Sequence, residues 1–435
     1  MSFSDKFQAE FLGLADPVEL GCKDVWHIPA FANVGLVKCG DEGLVVFDIG
    51  TTFFRRKIFE EARKITDKPI KYIIYSHGHF DHCFGYELFL KEIEEKGWEK
   101  PQVIAHENCI KRFEKYKMME GHQNFVNSQQ FASMIDRGSR SVVSAKETLD
   151  PTIIIRNNEN YSFKLGPYKF EIYSEWGETD DAIWMYMPEK KVIFSGDLMI
   201  SGYPNIGNPY KVQRYPNHWA EAMEKMIEKN AEFIIPGHGP LIEGPENVKD
   251  CLTITAEAMH FVHNEVVKRM NEGKWFEEVF HEMVGIYPEK FKKSKWLRPM
   301  YGCYRFGIHA AYRLYHGWYN SGNPTDLFPS KSSDIANELL KITGLNSEDK
   351  YFEHAKKLFE DGKLQLALHI LDVIIKGTVP KNKEFLLKAY ELKRKILKKQ
   401  ANIETSFIVK NILNNGAIQI KGKIKEIKKN LKPNE

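Results

Sequence analysis

The run Tyr75-Ser76-His77-Gly78-His79-Phe80-Asp81-His82-Cys83 constrains this chain more than any other stretch. Four ligand-type side chains in the order H-x-H-x-D-H follow the apolar stretch Tyr72-Ile73-Ile74-Tyr75, which predicts a buried strand. Side chains alternate along an extended chain, so His77 and His79 face the same way. Asp81 and His82 follow once the chain turns toward a helix. The first pair is expected to hold one metal ion and the second pair another beside it. Surface histidines next to a helix start would explain any one of these residues, but not four ligand types so close together.

Further ligand types recur where other strands end. Short apolar runs at Val25–Ile28, Val34–Val37 and Gly43–Phe47 predict a meander closed by Asp48-Ile49-Gly50. Asp48 either caps the helix expected over Phe53–Ile65 or orients a metal ligand; the second reading is preferred. Strands are expected at Thr152–Arg156, Tyr168–Tyr173, Ala182–Met187, Lys191–Ser195 and Phe233–Ile235. Glu178, Asp197 and His238 lie in loops after them. Glu178 would complete the first metal's ligands and His238 the second's, while Asp197 has two oxygens and can bridge. His106, after Val103-Ile104-Ala105, reads as a hydrogen-bonded structural residue outside the site. The polar segment 107–150 has little periodicity and reads as a lid or an insertion.

A chain of 435 residues with 43% hydrophobic content is long enough for two to three domains with sizeable cores. Its net charge of +3 argues against a nucleic-acid-binding surface. The six cysteines are scattered, which fits reduced thiols. The amino terminus lacks a signal pattern, and no run reaches the roughly 18 apolar residues of a membrane span. These features predict a cytoplasmic protein with no membrane partner. Met259, Val262, Val266 and Met270 recur at helical spacing, and Tyr301, Tyr304, Ile308, Tyr312 and Tyr315 form an aromatic stripe suited to a core or a homodimer interface. Segments 351–361 and 364–376 predict one helical hairpin of tetratricopeptide type.

The ordered set His77, His79, Asp81, His82, Glu178, Asp197 and His238 resembles the metallo-β-lactamase superfamily. Glu178, where most members have histidine, is similar to the alkylsulfatase-like branch. Tyr301-Gly302 through Gly317-Trp318-Tyr319-Asn320-Ser321-Gly322-Asn323-Pro324 resembles the alkylsulfatase dimerisation domain. The resemblance implies an α/β fold, with an αββα sandwich over 15–250, an all-α dimerisation domain over 251–425 and a basic tail over 426–435. The third, lipid-transfer-like domain that detergent-cleaving members of the branch usually carry is expected to be absent. The resemblance also implies two divalent metal ions, taken as zinc with iron or manganese as alternatives, and a metal-bound hydroxide that cleaves a sulfate ester. Asp81 and Asp197 would be the catalytic carboxylates.

The family's Ser-His-Asn aligns with Arg305-Phe306-Gly307, and its sulfate loop with Asn205-Ile206-Gly207-Asn208-Pro209-Tyr210. Arg305, Asn208 and Arg214 are therefore the candidate substrate-binding residues. A thioester or phosphoester hydrolase, an iron-containing redox enzyme and a non-catalytic binding protein are the alternative readings.

Overall fold

The computed structural model describes residues 9–10, 13–131, 148–344, 347–377 and 383–429. Two compact units emerge, one comprising Met1–Asn124 and Ser141–Asn320, the other Phe125–Arg140 and Ser321–Glu435.

The first unit is built on thirteen strands among the described residues. β1 (Val18–Glu19), β2 (Val25–Ile28), β3 (Val34–Lys38), β4 (Leu44–Phe47), β5 (Ile70–Ile74), β6 (Gln102–His106) and β7 (Ile153–Ile155) form one sheet in chain order. β8 (Asn160–Leu165), β9 (Tyr168–Glu175), β10 (Ala182–Met187), β11 (Val192–Ile200), β12 (Phe233–His238) and β13 (Ile242–Glu243) form the second, also in chain order. The first sheet starts as an antiparallel meander and becomes parallel from β4 to β7.

Period-two alternation splits each central strand between two cores. In β4, Val45 and Phe47 pack between the sheets, with Ile74, Phe170, Ile172, Met185 and Phe194. Leu44 and Val46 face outward onto a layer with Ile58, Phe89 and Phe113, from helices Arg55–Ile65, Glu87–Lys96 and Glu107–Met118. In β10, Ile183 and Met185 face the partner sheet, while Trp184 and Tyr186 face helices Pro216–Ile227 and Pro245–Asn271. The result is the expected αββα sandwich. Strands buried on both faces read as near-continuous apolar runs, which is why they were legible.

Three expectations change. The boundary placed between 250 and 251 falls inside the 27-residue helix Pro245–Asn271. Val248, Cys251, Leu252 and Met259 share one core with Trp184 and Trp219, and Ile308 and Tyr312 of helix Tyr304–Arg313 join it, so the helical segment up to Asn320 belongs to the sandwich unit. Segment 107–150 is largely helical where described, as Glu107–Met118 and Glu120–Gln130, with 132–147 outside the described residues. The expected tail begins inside the last helix, Phe407–Lys429, with 430–435 outside the described residues.

The second unit is helical. Ser347–Glu360 and Leu364–Lys376 form the expected hairpin, and Lys383–Ile403 and Phe407–Lys429 pack with it around Ala355, Leu371, Ile396 and Ile420. None of the described helices is long and apolar enough to cross a membrane.

Candidate metal centre

The loop and short helix Phe80–Cys83 after β5, the loop after β9, the end of β12 and β11 itself, which runs on through Asp197 where a loop was expected, bring the seven expected ligands into two adjoining groups. His77, His79, Glu178 and Asp197 form one, and Asp81, His82 and His238 the other. Asp197 joins them: Oδ2 lies 3.9 Å from His77 Nε2, while Oδ1 lies 3.4 Å from His82 Nε2 and 3.3 Å from His238 Nε2. Asp81 Oδ2 is 3.5 Å from His238 Nε2 and 3.7 Å from His82 Nε2. His79 Nδ1 is 3.8 Å from Glu178 Oε1 and 2.7 Å from His77 Nε2.

This arrangement fits two cations. Buried polar atoms are normally satisfied, yet His82 Nε2, Asp197 Oδ1 and Glu178 Oε2 are buried with no hydrogen-bond partner among the described residues. All three lie among the ligand atoms. Four nitrogen or oxygen donors around one point and four around the next, with one carboxylate common to both, is the donor set of a bridged divalent pair.

Three of the four imidazoles, His77, His82 and His238, are held by their other nitrogen. Asp48 Oδ2 lies 2.7 Å from His82 Nδ1, and the same carboxylate accepts from the Ser76 amide at 2.7 Å and hydroxyl at 2.8 Å. The Ser76 hydroxyl is also 2.9 Å from His77 Nδ1. His238 Nδ1 donates to the Phe31 carbonyl at 2.6 Å, and Tyr301 stacks on its ring with centroids 5.6 Å apart. These contacts fix tautomer and ring plane. Helix Arg55–Ile65 starts after Phe54 with no side-chain cap, so Asp48 serves the site and not the helix.

Asp48 and Phe31 both adopt left-handed backbone, with φ of +57° and +64°. Such residues cost on the order of 1–3 kcal/mol each and collect where surrounding packing over-determines them. Here, both are residues that orient a candidate ligand, His82 and His238 respectively. Gly196, at φ +51°, faces Ser76 so closely that an added Cβ would lie 2.3 Å from the Ser76 Cβ. Only glycine lets β11 deliver Asp197 beside the loop that carries His77.

Burial lowers the pKa of His77 and His79 well below the ordinary imidazole value, with the neighbouring imidazoles pulling the same way. Burial opposes the charge on His82 too, but Asp48, Asp197 and Asp81 outweigh it and raise His82 well above its usual value. Burial likewise works against the Asp197 carboxylate, and His238 with His82 overcomes it, holding Asp197 well below the carboxylate range. The His82 and His238 side is thus a strongly negative pocket, suited to cations.

Glu178 receives the Asn205 amide at 2.7 Å and forms an ion pair with Arg214, which is itself buried. A cavity of about 320 Å³ opens beside His79 and Glu178, with Arg112, Lys115, Lys211 and Arg214 in its wall. Burial lowers Lys211 to about 8. Arg112 holds Asp181 through Nε and Nη2 at 3.0 Å each, and Asp181 accepts from the Gly78 amide at 2.9 Å. The His77–His79 loop is thereby anchored to helix Glu107–Met118.

Of the expected substrate residues, Arg214 lies against Glu178, and Asn208 lines a second, smaller cavity of about 140 Å³ that it shares with Arg214 and Lys211. Arg305 is exposed on helix Tyr304–Arg313 and lines neither cavity. The buried Arg214, in the loop just before helix Pro216–Ile227, was a better candidate than an arginine on an outward helix face. His106 is structural as expected, with Nε2 3.0 Å from Asn157 Oδ1 and Nδ1 accepting from the Asn108 amide. Sequence reasoning missed Arg112, Lys211, Asn205 and Phe31. Asp180-Asp181 beside Glu178 was the one available signal for Arg112, since a buried aspartate needs a cation.

Comparison with known proteins agrees with this geometry. Residues 27–238 match the metallo-beta-lactamase superfamily and residues 276–423 match the alkyl sulfatase dimerisation family. A linear primary-alkylsulfatase from Pseudomonas sp. is 27% identical over 345 residues, covering 76% of this chain and 64% of its own length. An (R)-specific secondary-alkylsulfatase from Pseudomonas sp. is 24% identical over 364 residues, covering 78% of this chain and 53% of its own length. The chain thus spans less than two thirds of either relative. The solved structure of the stereoselective inverting sec-alkylsulfatase Pisa1 from Pseudomonas sp. superposes with a TM-score of 0.80 at 20% identity, covering 96% of this chain and 67% of that one.

Proposed function

Since this chain joins a metallo-β-lactamase superfamily domain to a helical domain of the alkyl sulfatase dimerisation kind, we propose that it is a metal-dependent hydrolase of sulfate esters. The observation that carries this reading is the Asp197 carboxylate, set between two candidate ligand groups, the first of which borders a cationic cavity through His79 and Glu178. His77, His79, Glu178 and Asp197 would hold one divalent ion, and Asp81, His82, His238 and Asp197 the other. Zinc fits the imidazole-rich set, with iron or manganese admitted by its carboxylates.

When bound, such cations supply Lewis acidity and lower the pKa of water from 15.7 to about 7. The protein's own residues do the rest. Asp48, Ser76 and the Phe31 carbonyl keep the imidazoles facing inward. Asp81 presents an oxygen between His82 and His238, where it can accept the proton of an attacking water. Arg214 and Lys211 offer positive charge to the ester's anionic group, with the Arg214 Nε buried and without a hydrogen-bond partner among the described residues. Asn208 stands behind them on the same loop.

A phosphoester or thioester is the second reading, favoured by the same cationic wall, which attracts phosphate as readily as sulfate. The helical domain supports a homodimer. Six free cysteines, five of them buried, support a reducing compartment and hence the cytoplasm. The test is elemental analysis of the purified protein followed by turnover assays on sulfate, phosphate and thioester substrates. Two divalent ions per chain with sulfate release supports the proposal; metal without turnover of any ester would replace it with a binding role.

A further inference from the structure

The larger cavity carries more positive charge than the ester group needs. Arg214 is engaged with Glu178, and Arg112 with Asp180 and Asp181. The carboxylates in the wall are thus already committed. Lys115 and Lys211 point into the same space, and no carboxylate of the described residues lies within ion-pair distance of either ammonium; the charges they feel are other groups at longer range. Lys111 also lines the cavity, one turn before Lys115 on helix Glu107–Met118, and its ammonium donates to the neutral Asn108 side chain at 2.8 Å.

Among the described residues, the wall offers little of what a long hydrocarbon tail requires. Val212 is the one aliphatic side chain in the described lining, and it is 60% exposed. Tyrosine, glutamine, asparagine and threonine fill the rest. Lys111 and Lys115 are exposed and Lys211 is partly buried, so water solvates them when the cavity is empty; three ammonium groups lining one polar cavity without a carboxylate beside them attract an anion.

We propose that the preferred substrate carries a second anionic group, such as a carboxylate, at the far end of a short polar tail. Lys111 and Lys115 hold that group while the ester lies at the metal centre. This rests on the hydrolase reading above and adds the chemistry of the tail. Lys111 and Lys115 lie on a helix that supplies none of the metal ligands, so the second anion is read by a separate element.

The test uses the metal-loaded full chain and two sulfonates, which mimic a sulfate ester without being cleaved: hexanesulfonate and its ω-carboxylated counterpart of equal chain length. Calorimetric titration should show the carboxylated ligand binding about tenfold more tightly, the size of one charge-assisted contact. Added salt should narrow the gap. The double variant Lys111→Ala/Lys115→Ala should bind both ligands alike, at the affinity the wild type shows for hexanesulfonate. Equal affinities in the wild type, or tighter binding of hexanesulfonate, overturns the proposal without recourse to any variant. Turnover of the two corresponding sulfate esters separates the two readings. A binding gap without turnover removes the hydrolase and leaves the second-anion site, whereas turnover with equal binding does the reverse.

Discussion

Asp48 makes no contact expected of a ligand, yet both of its oxygens are spent on the site. One orients His82, and both hold Ser76, which in turn meets His77. One carboxylate therefore sets an imidazole in each metal group. Asp48→Asn keeps the shape and removes the charge; it should lower divalent-metal affinity about 10–100-fold, read by competition with a chromophoric chelator. Unchanged affinity would mean His82 is oriented by packing alone. Lys211 makes a pH prediction. Burial brings its pKa to about 8, so it is charged below that value and neutral above it. The affinity for inorganic sulfate should fall about tenfold as pH rises through 8, because one charge-assisted contact is lost. Lys211→Arg should move that fall beyond the accessible range, and a profile that is the same in both proteins would remove Lys211 from the anion site.

At the scale of elements, the ligands were legible because each follows an apolar run that ends at a turn, and that pattern is local. What the pattern omits is whatever pairs across the chain. Arg112 meets Asp181, 69 positions later, and nothing in the polar run around Arg112 announces the partner. Arg112→Ala would strand a fully buried carboxylate, a change that typically costs about 3–5 kcal/mol, measurable by urea denaturation. The His77–His79 loop hangs from the same aspartate, so the first metal should be lost before the second in that variant. β8 was missed for a different reason. Its residues alternate half-buried and exposed at the edge of the sheet, so no apolar run marks it. Gly196→Ala tests the approach of β11 to the Ser76 loop: the added methyl should weaken binding of both metals together, since Asp197 serves both groups.

Across the whole molecule, the sandwich unit does not end where the resemblance to a two-domain chain suggested. The helices between Pro245 and Arg313 fill the outer face of the second sheet, and Tyr301 from that region stacks on His238. A chain cut after residue 250 should therefore aggregate or melt without cooperativity, while one cut after 320 should keep a cooperative transition and its metal affinity. Comparable melting of both would return the boundary to 250. The division was illegible because amphipathic helices look alike whether they cover a sheet or pair with each other; only the partner differs. One further property follows from where the cavity's charges sit. The cations proposed to choose the substrate's tail ride on the surface of one helix, whereas the candidate metal ligands sit on or beside the central strands, held there by strained backbone at Asp48 and Phe31 and by the tight approach at Gly196. Inheritance can therefore rewrite the chain's diet at Lys111 and Lys115 while its chemistry stays fixed, so kin with the same seven ligands should divide into dietary lineages marked by those two positions.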